Sequence, residues 1–393
     1  MKIAFIRYRY DPFGGAERFT QAIMDRLAAK GAEIHLFARD WIGAPPSACI
    51  RMHRVGGLSK PPLVGYVSFV LLVGRAVRKM QFDLVQSNER TLCQDVYRAG
   101  DGVHARWLEL RARRMGSLRR LSLRLNPFHR LRLWLECRLF EDPRLRAVVT
   151  NSSMVKEEIL ERFRIDPDRI VVIPNGVDLD RFHPAHRETV GAVLRRRAGV
   201  GDDETVFLFV GSGFERKGLE FAVRATAHAS TTANLWVVGR GRSGPFRKLA
   251  RKLGLEDRVR FWGPQGDAAP FYAAADALVL PTLYDPFPSV VLEAMASGLP
   301  VVTTAHCGAA EIITSGCEGF VVDRPDDVRR IARCLEILGR VDTRRSMGRE
   351  ARSRAEDFPW ERTVTELETL YAALIAGMDP PFPECPHASK GRE

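Results

Sequence analysis

The chain has 393 residues, 45% of them hydrophobic, with a formal net charge of +12 and a pI near 9.7. That length and apolar content exclude a coreless chain and leave room for two domains, while the charge points to anionic partners: nucleotide phosphates, nucleic acid or an anionic membrane surface. Seven scattered cysteines without a C-x-x-C pair exclude a disulfide framework or zinc site and suit a reducing cytosol.

Only Ile3 to Ile6 separate Lys2 from Arg7, too short an apolar run for a signal peptide. The apolar uncharged run Pro61 to Gly74 is too short to span a bilayer and contains Gly and Pro. The expectation is a cytosolic or peripheral protein.

In chain order, Lys2 to Arg7 reads as a buried strand. A Gly-rich turn then opens an amphipathic helix that stops at Gly31, and Glu33 to Phe37 is the next strand. This strand–loop–helix–strand start is Rossmann-like. Its loop, FGGAER, is not G-x-G-x-x-G, so no nicotinamide site is expected. Gly14 and Gly15 allow a ligand close to the backbone, and the helix start favours phosphate. Asp83 to Ser87 and Val96 to Ala99 are further strands. The second ends in Gly100-Asp101-Gly102, which places Asp101 at the edge of the sheet where α/β sites lie, with His104 one turn on.

Residues 104–146 carry twelve arginines, no lysine and four acids, interleaved with leucine and tryptophan and broken at Asn126-Pro127. Arginine opposite Leu/Trp suits an anionic bilayer interface. An ordinary solvated helical pair and an RNA surface are the other readings. Ala147 to Asn151 and Arg169 to Ile173 read as strands, the first followed by a helix capped at Ser152-Ser153.

The turn Pro174-Asn175-Gly176 opens PNGVDLDRF, and a second domain starts near Pro184. Thr205 to Val210 is a strand, and Gly211 and Gly213 form the turn after it. Arg216 and Lys217 lie at the start of the next helix. Cations there oppose the helix dipole, and a diphosphate ligand would account for them. Leu235 to Gly239, Val259 to Gly263 and Ala277 to Pro281 are three more strands alternating with helices, as a doubly wound sheet requires. Trp360 to Ala376 is the last helix. The tail from Asp379 to Glu393, with its prolines, reads as disordered.

The stretch from Tyr284 to Glu311, YDPFPSVVLEAMASGLPVVTTAHCGAAE, carries the most chemistry. Pro286 and Pro288 keep the residues before them out of a helix. Ser289 offers an N-cap, Val290 to Ser297 form a short helix, and Gly298 and Pro300 end it. Phe287, Pro288, Ser289 and Val290 thus border a helix N-terminus that suits a phosphate. Asp285 precedes it, and Glu293 lies one turn in. Two acids beside an anion site make sense for a nucleotide sugar: sugar hydroxyls for Asp285, ribose hydroxyls for Glu293.

Acid-x7-acid followed by A-x-A-x-G-x-P-V-V resembles the donor-site signature of the retaining glycosyltransferases of family four. GGAER, PNGVDLDRF and Arg216-Lys217-Gly218 match further elements of that family. The resemblance covers nearly the whole chain and is strongest from Gly211 to Pro325. It departs at Asp285, where the family usually has Glu.

The resemblance implies an α/β chain of GT-B fold: two Rossmann-like domains facing across a cleft, with the C-terminal helix returning to the first. The boundaries follow as 1–183 (acceptor domain, basic insert 104–146), 184–358 (nucleotide-sugar domain), 359–378 (crossover helix) and 379–393 (tail). The donor would be held by Gly14, Gly15, Arg181, Gly213, Arg216, Lys217, Phe287, Pro288, Ser289, Val290 and Glu293. Asp101, Asp285, Arg216 and Lys217 are the catalytic candidates, with Glu17 and Arg18 as polar members of the first loop.

The expected reaction is retaining, metal-independent hexosyl transfer, with glucose favoured. The donor is a UDP-sugar, a substrate and not a cofactor. The acceptor is a membrane-associated glycan or glycolipid such as a lipopolysaccharide core. The expected place is the cytoplasmic face of the inner membrane, held through 104–146, with no nucleic-acid partner. A GT-B nucleotide-sugar epimerase and a non-catalytic nucleotide-sugar or lipid-binding protein are the alternatives.

Overall fold

The computed structural model describes residues 1–10, 15–41, 49–58, 60–201, 203–229 and 233–381. Seven strands form the first sheet: β1 (Lys2–Tyr10), β2 (Glu33–Trp41), β3 (Ile50–Arg54), β4 (Leu84–Ser87), β5 (Val96–Arg98), β6 (Ala147–Thr150) and β7 (Ile170–Val172). Their order is β3-β2-β1-β4-β5-β6-β7, and every pairing is parallel. The strand order reverses between β1 and β4, the switch point of a doubly wound fold.

Helices α1 (Gly15–Ala29), α2 (Pro62–Arg78), α3 (His104–Arg113), α4 (Ser117–Leu125), α5 (Pro127–Phe140) and α6 (Ser153–Leu160) accompany this sheet. The apolar run at Pro61 to Gly74 becomes α2, which buries Phe69, Val73 and Val77 against Ala4, Ile6, Phe37 and Val85. Further along the same face, Leu139 and Phe140 of α5 and Val155 and Ile159 of α6 pack on Tyr97, Val148 and Ile170.

The second sheet has six strands: β8 (Thr205–Val210), β9 (Ala233–Val238), β10 (Val259–Gly263), β11 (Ala277–Val279), β12 (Val301–Thr304) and β13 (Gly319–Val322). The order is β10-β9-β8-β11-β12-β13, again parallel. All six residues of β8 and of β9 are buried, as strands covered on both faces require. Helices α7 (Val190–Arg197), α8 (Leu219–His228), α9 (Gly244–Lys252), α10 (Ala269–Ala274), α11 (Ser289–Ala296), α12 (Val328–Gly339) and α13 (Val341–Ala355) surround it.

Asp276, at the start of β11, is a buried clamp. Its carboxylate takes Arg187 at 2.7 Å, Arg195 at 3.2 Å and Arg344 at 3.3 Å, and accepts from the Val206 N–H at 2.8 Å. One carboxylate thus ties α7, β8, β11 and α13 together.

The chain divides into two compact units, Met1–Pro174 with Thr363–Glu393, and Asn175–Arg362. The first division falls ahead of the 183/184 boundary expected from sequence. Local hydrogen bonds explain it: Val177 N–H donates to Phe358 O at 2.9 Å, and Arg352 Nη1 reaches Leu179 O and Phe182 O at 3.1 and 3.0 Å. The last helix, α14 (Trp360–Ile375), runs into the first unit, where Leu367, Leu370, Tyr371 and Leu374 are buried. Tyr371 hydrogen-bonds to Gln86 at the end of β4. No helix among the described residues is long and apolar enough to cross a membrane. Residues 382–393, most of the expected disordered tail, lie outside the described residues, as does Cys385.

Candidate functional site

In the second unit, the turn after β8 carries Arg216-Lys217-Gly218 directly into α8. Gly218 is left-handed, at φ +78°, and an added Cβ would stand 1.8 Å from Pro281 O. Only glycine lets the chain turn there while touching the end of β11. The neighbouring backbone is stitched to the same place: Arg216 O accepts from Leu283 N–H at 2.8 Å and from Thr282 Oγ1 at 3.0 Å. The two cations are therefore set in the turn before α8, one step ahead of the helix start expected from sequence.

The loop bearing Asp285 is braced from both sides. Asp285 N–H donates to His306 O at 3.0 Å, and Gly308 N–H donates to Asp285 O at 2.8 Å. Asn175 donates through Nδ2 to Phe287 O at 2.9 Å and to Ser289 Oγ at 3.3 Å. Ser289 is thus not the N-cap of α11. Pro288 occupies that position without a side-chain cap, and Ser289 is the first helical residue, its hydroxyl engaged by Asn175. Ser289 and Val290 stand half-buried at the N-terminal end, where helical N–H groups lack intrahelical partners.

These two braced segments meet at one carboxylate. Asp285 Oδ2 lies 2.5 Å from Lys217 Nζ and 3.0 Å from Arg216 Nη1, and Arg216 also donates to Tyr284 O at 2.9 Å. Asp285 and Lys217 are buried. Burial works to raise the Asp285 carboxyl, but Lys217 and then Arg216 outweigh it and hold the group below its ordinary value. Asp285 is an anion throughout the neutral range. Its neighbour Cys307 has a thiol pushed up to about 12 by burial and then by the Asp285 charge, so it is no nucleophile.

Glu293 sits half-buried one turn into α11, and Tyr272 of α10 donates to its Oε2 at 2.6 Å. Arg181 pairs with Asp267 at 2.7 Å. That hydrogen bond, with smaller contributions that include Glu293, raises the Arg181 guanidinium above its ordinary value. The structure therefore brings Asp285, Arg216 and Lys217 together and puts Glu293, Phe287, Ser289 and Val290 on the adjoining loop and helix. Gly213, at φ +75°, lies in the turn that delivers Arg216. Asn175 and Tyr272 escaped the sequence reading. Asn175 lay in PNGVDLDRF, read as a turn and as a family element with no role given to Asn175, and nothing in the local sequence singles out Tyr272.

In the first unit, Asp101 is exposed in the turn after β5. That turn is held by Arg90, which donates to Gly102 O at 2.9 Å and pairs with the buried Glu136 of α5 at 3.0 Å. Glu136 also accepts the N–H of His104 at 2.8 Å. His104 is buried and shares a hydrogen bond of 3.1 Å with His129. Burial, then Arg90 and Arg132, push its imidazole down to about 3. Gly14 lies outside the described residues. Gly15 begins α1, and only the backbone of Glu17 and Arg18 is described.

The basic insert forms the three helices α3, α4 and α5. No residue of α4 is buried, and Leu118, Leu121 and Leu125 are respectively 85%, 53% and 61% exposed. Their spacing puts them on one face, with Arg124 at its edge and Arg119 and Arg120 turned toward the opposite side.

Residues 13–181 match a family model described as Glycosyltransferase Family 4, and residues 204–339 match one described as Glycosyl transferases group 1. The lipopolysaccharide glucosyltransferase WaaG of Escherichia coli K12 is 28% identical over 381 residues, covering 96% of this chain and 99% of that protein. A crystal structure of WaaG, described as a glycosyltransferase involved in lipopolysaccharide biosynthesis, superposes with a TM-score of 0.84 at 26% identity, over 95% of this chain and all of that one. Sucrose-phosphate synthase from Thermosynechococcus elongatus gives 0.79 at 25% identity, over 96% of this chain and all of that one. With two parallel doubly wound sheets and these matches along both units, the chain belongs to the family-four glycosyltransferases of GT-B fold.

Proposed function

We propose that the protein transfers a hexose, glucose being favoured, from a UDP-sugar to a membrane-associated glycan or glycolipid such as a lipopolysaccharide core. The transfer retains the anomeric configuration and needs no metal ion. The observation that carries this reading is the convergence of Lys217 and Arg216 on Asp285 beside the α11 N-terminus. It provides two fixed cations for a leaving diphosphate and an ionised carboxylate for sugar hydroxyls. Likeness to a lipopolysaccharide glucosyltransferase over almost the full chain favours this donor and acceptor class.

In this reading the donor diphosphate lies against Lys217, Arg216 and the N–H groups at Ser289 and Val290. These groups are in place before reaction and stabilise charge as it develops on the leaving group. Asp285 accepts from the sugar, and Glu293 accepts from the ribose. The bond from the anomeric carbon to the phosphate oxygen breaks. The acceptor oxygen attacks from the same face, and its proton passes to the departing phosphate. Asp101 is assigned to steady positive charge at the anomeric carbon or to orient the acceptor. Arg181, Gly213, Gly14 and Gly15 complete the donor set by family resemblance.

The exposed leucine face of α4, flanked by arginine, supports docking on an anionic bilayer. The proposed place is the cytoplasmic face of the inner membrane. The test is turnover of UDP-glucose, UDP-galactose, UDP-N-acetylglucosamine and GDP-mannose with truncated lipopolysaccharide cores, followed by NMR of the product. An α-glucoside formed from UDP-glucose without added metal is the expected result. An inverted product, or none with any donor, contradicts the proposal.

A further inference from the structure

Tyr272 is fully buried on α10, yet its hydroxyl points at a charged group: it donates to Glu293 Oε2 at 2.6 Å. A buried phenol needs a hydrogen-bond partner, and here the partner is a carboxylate, whose charge-assisted bond is stronger than a neutral one. The ring is itself held. Phe182 meets it edge-on at 5.4 Å, and the Arg181 guanidinium lies 5.6 Å over Phe182. Arg181 is in turn fixed by Asp267, just before α10. Two segments distant in sequence, Arg181-Phe182 and α10, thus stand behind the Tyr272–Glu293 hydrogen bond.

A long glutamate at a helix surface has three rotatable bonds, and ordering it on binding costs entropy. Tyr272 settles the rotamer beforehand. A carboxylate held in one plane can accept both hydrogens of a vicinal diol, and a freely turning one does so with loss of affinity.

We infer that Tyr272 is a positioning residue that presets Glu293 to recognise the 2′,3′-diol of a ribonucleoside diphosphate, so that this pair selects ribose in the donor. The inference rests on the proposed assignment of Glu293 to the ribose. It adds that the selection depends on a phenol that does not touch the ligand.

The test is calorimetric. UDP and GDP, each beside its 2′,3′-dideoxy counterpart, are titrated into wild type, Tyr272→Phe and Glu293→Gln. The phenylalanine variant keeps the ring and its packing, and a melting curve checks that it folds. For the nucleotide that binds, wild type should prefer the diol form, and Tyr272→Phe should lose about tenfold of that preference, the worth of a hydrogen bond to a charged group. In turnover, its donor KM should rise more than its kcat falls. If Glu293→Gln loses the preference and Tyr272→Phe keeps it within twofold, the inference fails and the ribose assignment stands. If Glu293→Gln also keeps the preference, or neither nucleotide binds, the ribose assignment fails and the inference falls with it.

Discussion

Lys217 Nζ lies 2.5 Å from Asp285 Oδ2, although the two residues belong to segments far apart in sequence and both side chains are buried. A buried ion pair is a poor source of stability, because desolvation offsets most of the attraction. Its placement beside a helix N-terminus instead fits a site where a second anion joins the cations. Asp285→Asn separates the two roles of the carboxylate. Removing its charge leaves Lys217 and Arg216 more positive, so UDP alone should bind roughly fivefold tighter. Sugar transfer should fall by about a hundredfold or more, the scale for losing a transition-state contact. Calorimetry and a UDP-release assay on one preparation check both.

Asp101 is the exposed acid in the turn fixed by Arg90, and the reaction scheme gives it a direct part. Asp101→Ala should retain UDP affinity and melting temperature while lowering kcat by about two orders of magnitude, as loss of a charged catalytic contact does. Full turnover in this variant would remove Asp101 from the mechanism.

The helix α4 offers a test that leaves the fold alone. Because it buries no residue, replacing Leu118, Leu121 and Leu125 by serine should change the melting temperature little. Sedimentation with vesicles containing anionic lipid should drop sharply, since the apolar face is removed. Unchanged sedimentation would place the membrane contact elsewhere.

His104 gives a pH dependence with a defined sign. Its imidazole is pushed from an ordinary value of 6.5 to about 3, so the unfolded chain binds the proton that the folded one refuses. The contribution is fully present above pH 6.5 and is lost as pH falls toward 3. Melting temperature should therefore drop with acidification below pH 6.5, and less steeply in His104→Gln. Equal slopes in the two proteins would show that other groups carry the acid response.

Asp276 predicts a stability effect apart from chemistry. Asp276→Asn leaves Arg187, Arg195 and Arg344 gathered around a neutral amide. Breaking a buried pair from one side costs about 3–5 kcal/mol, so the chemical-denaturation midpoint should fall clearly. UDP affinity measured well below the new transition should stay near that of wild type.

Most strands of both sheets were legible, because parallel strands are short apolar runs closed by glycine or proline; Ile50–Arg54 and Gly319–Val322 were not. Thr205 to Val210 is observed with the bounds read from sequence. The helix at Pro62–Arg78 was not read as one, because its run is apolar almost all round and shows no 3.6-residue period. Ser289 misled for a different reason. A serine before an apolar run is a cap signal, but the competing donor, Asn175, comes from 114 residues away. Tyr272 is invisible in the same way. Its partner is set by how α10 packs beside α11, which no local pattern encodes. The cations were legible, since Arg216 and Lys217 at a helix start already needed an anion to explain them. That the anion in the structure is Asp285 itself was not.

The most direct test of the donor site is calorimetric titration of UDP-glucose and a small panel of UDP- and GDP-sugars into wild type and Lys217→Ala. A charged hydrogen bond to phosphate is worth enough that the variant should lose about tenfold to a hundredfold in affinity. Wild type should bind UDP-sugars selectively, and that binding should collapse in Lys217→Ala. Absence of binding by wild type to every member of the panel, or equal binding by both proteins, would contradict it.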